Sequence, residues 1–154
     1  MKIKRGKLDI ILNVLCLIIL ISTVLFLIVI WSKIPDKVPM HHDFAGNTDR
    51  WGAKLEIIIL PIITWIMYIF ITITEKFPQV WNTGVKVTEE NKEQVYSILL
   101  HLISTIKFIV VCVFTYLTVQ TAVTFELSAW FLPIFILVIF GDSFYWIWKL
   151  FKVK

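Results

Sequence analysis

The residues able to do chemistry fall in two places. One is a polar stretch that reads Ile34-Pro-Asp-Lys-Val-Pro-Met-His-His-Asp-Phe-Ala-Gly-Asn-Thr-Asp-Arg-Trp-Gly-Ala-Lys54; the other is a pair of charges, Lys107 and Asp142, set in otherwise apolar runs. In the first, His41, His42, Asp43 and Asp49, with Glu56 just beyond it, are of the types that ligate divalent metals. Adjacent histidines in an extended segment point to opposite sides, so only one of His41 and His42 easily joins a given site. No two histidines flank a glutamate at helical spacing, as a zinc protease needs. A metal is left undecided, with His41 and Asp43 the candidates. The same side chains could instead hydrogen-bond among themselves, with Arg50, to fold the stretch, or form a recognition surface. Catalysis has less to draw on. The chain has no nucleophile elbow, no phosphate-cradling glycine loop and no paired carboxylates within one apolar run, so it is read as a non-enzyme without a cofactor.

The elements that position these residues follow from composition. Hydrophobic residues make up 58% of the 154 and charged residues 17%, against ~45–50% and ~25% in soluble domains. A small soluble fold cannot hide that excess, and a disordered chain lacks it. The apolar residues form four runs, about 10–31, 55–74, 95–122 and 127–148, each long enough to cross a bilayer core as a helix (~20 residues). They lack the strand alternation of a membrane barrel. The expected fold is an all-α integral membrane protein: one membrane domain, 1–154, with four transmembrane helices and a folded outer loop, 32–54. The first run is too long for a signal peptide and lacks a cleavage site, so it is read as an uncleaved span.

Basic residues set the orientation. Lys2, Lys4, Arg5, Lys7, Lys76, Lys86, Lys92, Lys149, Lys152 and Lys154 fall on one side, and Lys33, Lys37, Arg50 and Lys54 on the other. This places both termini in the cytoplasm and 32–54 outside, in the cell membrane. The net charge of +4 then reads as topology, not as a nucleic-acid footprint. Trp31 and Trp130 mark the outer interface, and Trp146 and Trp148 the inner one. Pro61 and Pro133 lie inside two runs and are expected to bend them. Thr88 is a candidate N-cap for the third helix. Cys16 and Cys112 read as buried apolar residues.

A charge inside a span is a functional hypothesis with a partner to be named. Counted from the cytoplasmic edge at 1.5 Å per residue, Lys107 is about 13 Å deep and Asp142 about 9 Å. A lysine arm covers the difference, which predicts a Lys107–Asp142 pair; otherwise Lys107 snorkels to the interface and Asp142 faces water or Lys149. Asn13 could join this cluster. His101 lies about 120° around the helix from Lys107 and reads as an interfacial histidine rather than a proton relay.

The outer stretch also resembles the loop signature of a bacterial membrane-protein family that includes the SdpI-type immunity proteins. The pattern is Ile/Val-Pro-x-His, then Asn/Asp, then Gly, then Asp-x-Trp-Gly-x-Lys; His41, Asp43, Gly46, Asp49, Trp51, Gly52 and Lys54 match it, and His42 stands where an aromatic is usual. The resemblance implies a multi-span bacterial membrane protein that resists or senses an extracellular toxic peptide. In that role the bilayer and a peptide, or another membrane protein, would be its partners. An accessory subunit of a larger membrane complex is the second reading, and a metal-dependent membrane enzyme the third.

Overall fold

In a computed structural model, which describes residues 3–153, the four apolar runs are four helices, each long and apolar enough to cross a membrane. They are α1 (Lys7–Ile30), α2 (Ile59–Thr74), α3 (Lys92–Val123) and α4 (Phe131–Phe151). Between α1 and α2 lie two strands, β1 (Lys37–His42) and β2 (Thr48–Ala53), paired antiparallel. The helical membrane domain thus carries one hairpin at one end of the bundle. The N-terminal segment, the α2–α3 connection and the end of α4 gather at the other. Lys2 and Lys154, both counted in the orientation, lie outside the described residues.

α3 is the central helix. It packs against α1 and α2 on one side and α4 on another. The buried residues of α1 (Asp9, Leu12, Cys16, Leu20, Thr23 and Leu27) recur at three- and four-residue spacing, which keeps them on one helical stripe. In the middle of the bundle Cys16 and Leu20 pack with Tyr68 and Val111. Toward the hairpin, Leu27 packs with Ile34, Val38, Ile57 and Ala122, so β1 is part of the core. Both cysteines are free thiols.

Helix boundaries change the reading of the two prolines. Pro61 and Pro133 are each the third residue of their helix. The first-turn N–H groups have no intrahelical acceptor, so a proline costs nothing there. These residues sit in the first turns of α2 and α4 instead of bending them at mid-span. Residues 55–58 form a 3-10 turn that runs into α2 and lies within the membrane-length segment Lys54–Thr74, whereas 127–130, expected within the fourth span, form the connection before α4. Thr88 caps one turn early. Its N–H donates to Asn91 Oδ1 at 2.9 Å and its Oγ1 accepts the Asn91 N–H at 3.3 Å, and α3 starts after Asn91.

Candidate functional site

Two polar constellations are built into this frame. The hairpin is the first. Its register pairs Val38 with Gly52, Pro39 with Trp51, His41 with Arg50 and His42 with Thr48, with irregularities on either side of His41. Such bulges re-aim side chains: His41 is exposed and His42 half-buried. His41 Nδ1 meets Asp49 Oδ1 at 2.6 Å, and Arg50 Nη2 donates to Glu56 Oε2 at 3.1 Å. Glu56 also accepts the Ala53 N–H at 2.7 Å, which joins β2 to the start of the next helical turn. Asp43 organises the tip. Its Oδ1 accepts the N–H groups of Ala45 and Asn47, each at 2.9 Å, and its Oδ2 accepts from Asn47 Nδ2 at 3.1 Å. The Asn47 side chain, then the backbone N–H groups, hold the Asp43 carboxyl below the usual carboxylate range. Gly46 has φ +89°, where a side chain is strained, and a Cβ there would overlap the Leu127 carbonyl. The tip therefore seats against the α3–α4 connection through a bare backbone.

Seated in this way, the hairpin turns large side chains outward. Phe44 at the tip is 89% exposed and Trp51 56%. Lys54 instead folds back, its Nζ 4.9 Å from the Trp31 ring centroid. Gly52 gives room for Met40 and the Glu56 carboxylate. His41 and Asp43, the metal candidates, are engaged separately, and among the described residues no three His, Cys, Asp or Glu side chains converge as a metal site. His42 Nε2 is buried and meets no partner there.

The second constellation lies inside the bundle near the termini. Lys107 and Glu75 have side chains only 1% exposed and meet at 2.7 Å. Lys107 Nζ also donates to Asn13 Oδ1 at 3.0 Å and Thr72 Oγ1 at 3.3 Å. The ammonium thus has two hydrogen-bond acceptors and one carboxylate as ion-pair partner, and Glu75 Oε1 is held by that charge pairing without a well-aligned hydrogen bond. The other Glu75 oxygen accepts from Arg5 Nη2 at 2.8 Å, and Tyr68 donates its hydroxyl to Asn13 Oδ1 at 3.1 Å. Beside this network, Asp9, buried at the start of α1, accepts the Gly6 N–H at 2.8 Å. Its other oxygen meets His101 Nδ1 at 2.7 Å. The His101 ring lies 5.2 Å from that of Trp146. The buried charges are thus paired and hydrogen-bonded, the condition under which a low-dielectric interior tolerates them.

The expected Lys107–Asp142 pair does not form. Asp142 accepts from Thr105 Oγ1 at 2.7 Å and from Trp146 Nε1 at 3.1 Å. Thr105 and Lys107 are two residues apart, about 200° around a helix. Asp142, on α4, therefore meets the side of α3 opposite the one that carries Lys107. Depth matched the two charges, but direction separates them. Asn13 does join Lys107. The residues of this network not singled out as site residues from sequence are Arg5, Asp9, Tyr68, Thr72 and Glu75. A signal for Glu75 existed: Thr64, Tyr68, Thr72 and Glu75 lie four, four and three apart, a polar stripe running down α2.

Residues 17–65 match the family model described as a domain of unknown function, DUF1648. No curated protein and no solved structure matches the chain. The DUF1648 match spans the second part of α1, the hairpin and the first turns of α2. It takes in every hairpin residue described above and none of Arg5, Asp9, Asn13, Glu75, His101 and Lys107. The match, in a chain with four candidate membrane helices, supports a multi-pass membrane domain.

Proposed function

We propose that this is a bacterial cell-membrane protein of the immunity or sensing type, related to the SdpI-type proteins. On this reading its hairpin meets an extracellular toxic peptide, and both termini lie in the cytoplasm. The observation that carries the reading is the hairpin itself. It is anchored below by Val38 and Ile57 in the core. At its tip the Asp43 turn fixes the chain, and outward it presents Phe44, Trp51, His41 and Arg50, which are exposed. Aromatic and arginine side chains on a rigid base are the residues that dominate binding energy at interfaces. The protein binds rather than catalyses, and the bundle transmits or resists.

The test is a deletion strain challenged with a panel of membrane-active peptides and complemented with the wild-type chain or with Trp51→Ala/Arg50→Ala. At least one peptide should become more toxic on deletion, with rescue by the wild-type chain and not by the double variant. Unchanged sensitivity to every peptide overturns the reading.

A second reading, an accessory subunit using its spans as the interface, draws on α4. Leu137, Phe140 and Phe144 are 74%, 69% and 75% exposed. A stoichiometric partner retained in mild detergent supports it, and a lone chain opposes it.

A further inference from the structure

A cleft of about 1280 Å³ opens at the terminal end of the bundle. Its walls are the N-terminal segment and first turn of α1, the start of α3 and the last turns of α4. α1 and α4 both pack along α3 but not along each other, so the cleft is a gap between them with α3 as its floor. Leu8, Ile98 and Trp146 make part of the wall apolar, and Lys4, Lys7, Lys149 and Lys152 surround it from both sides.

The charges are unequal in kind. Arg5 is engaged by Glu75, and Lys92 and Glu89 pair with each other at 3.4 Å. Glu90 and Glu93 remain against the four lysines. Lys4 and Lys7 make no ion pair among the described residues. Lys149 and Lys152 meet rings instead of carboxylates: Lys149 Nζ is 4.9 Å from the Tyr145 centroid, and Lys152 Nζ is 3.6 Å from that of Trp148. Asp9 is only 1% exposed and is already covered by Gly6 and His101, so it adds little repulsion. An interfacial gap between helices, apolar toward the bilayer and basic at its rim, is complementary to a lipid with a negatively charged headgroup.

We infer that this cleft is a binding site for one anionic phospholipid, its phosphate between the Lys4/Lys7 and Lys149/Lys152 walls and its chains in the gap between α1 and α4. The inference is independent of the hairpin reading. It concerns the opposite end of the molecule and stands whichever partner the hairpin meets.

Native mass spectrometry of the full chain in neutral detergent tests it, with titration of phosphatidylglycerol, phosphatidylcholine or inorganic phosphate. One phosphatidylglycerol should be retained at concentrations where phosphatidylcholine is lost. Lys4→Gln with Lys149→Gln should weaken retention about fivefold for each lysine removed. Lys33→Gln with Lys37→Gln, exposed at the hairpin end, should leave it unchanged. Equal retention of the two lipids overturns the site. Displacement of phosphatidylglycerol by inorganic phosphate at matching concentration would show a soluble-anion site and also overturns it. A matching loss in the Lys33/Lys37 variant, as a diffuse field would give, does the same.

Discussion

The two polar constellations solve opposite problems. The hairpin is held mainly by local bonds: Asp43 reaches Asn47, His41 reaches Asp49 and Arg50 reaches Glu56. Its polar groups face water, where each bond adds little to stability but fixes the direction of neighbouring side chains. The terminal network joins residues far apart in sequence, such as Arg5 with Glu75 and Asn13 with Lys107. Its groups are buried, and each depends on its partner to offset desolvation. One region can vary its surface without losing the fold. The other cannot lose Lys107 or Glu75 without leaving a buried group short of a partner. The DUF1648 match lies on the first and stops short of the second.

The comparison predicts its largest effect at Lys107. Replacing it with Met leaves Glu75 with one partner and should cost about 3 kcal/mol. Lys107→Met with Glu75→Leu should cost less, while Asp142→Leu alone, which breaks two hydrogen bonds, should cost about 1 kcal/mol. Unfolding in mild detergent measures all three. If the double variant is no more stable than Lys107→Met, the two groups do not depend on each other and the contrast fails.

Gly46→Ala comes next. It strains a positive φ and drives a methyl into Leu127, at about 1–3 kcal/mol. The damage should stay local, with faster protease cleavage between Asp43 and Asp49 and hydrogen exchange in α3 unchanged. Exchange that spreads into α3 would mean that the hairpin is not an independent unit.

Smaller still, His41→Ala or Asp49→Ala removes an exposed pair and should shift stability by less than about 1 kcal/mol. A shift as large as that of Lys107→Met would erase the distinction between the ends.

The subtlest effect is in pH. The Asp43 carboxyl is held below its ordinary value, so it stabilises the turn above that value and ceases to as pH falls through the lowered one. Amide exchange at Ala45 and Asn47 should stay protected down to about pH 4 and be lost only below it. Loss at higher pH would show that Asp43 does not hold the tip.

Much of this frame is legible in the chain itself. Unbroken apolar runs must become helices in a bilayer because every backbone group needs an internal partner, and this holds for α1 to α4 whatever their arrangement. Gly46, Asp43 and Asp49 read as a folded turn because the bonds that make it are close in sequence. The register of β1 on β2 is less accessible, because the irregularities beside His41 have no compositional mark. Pro61 and Pro133 could be read as kinks or as starts, and only the placement of the helix ends decides between them.

The partner of Lys107 lay beyond the sequence. Composition and length placed a lysine inside a span, where it would either pair with an anion or snorkel to the interface, and depth along the helix pointed to Asp142. Choosing Glu75 over Asp142 requires knowing that α3 is central, with α2 and α4 on different sides of it. That is a property of how four helices pack. A charge deep in a span can be counted from the sequence, but which face it occupies among its neighbours is set only when the neighbours are in place.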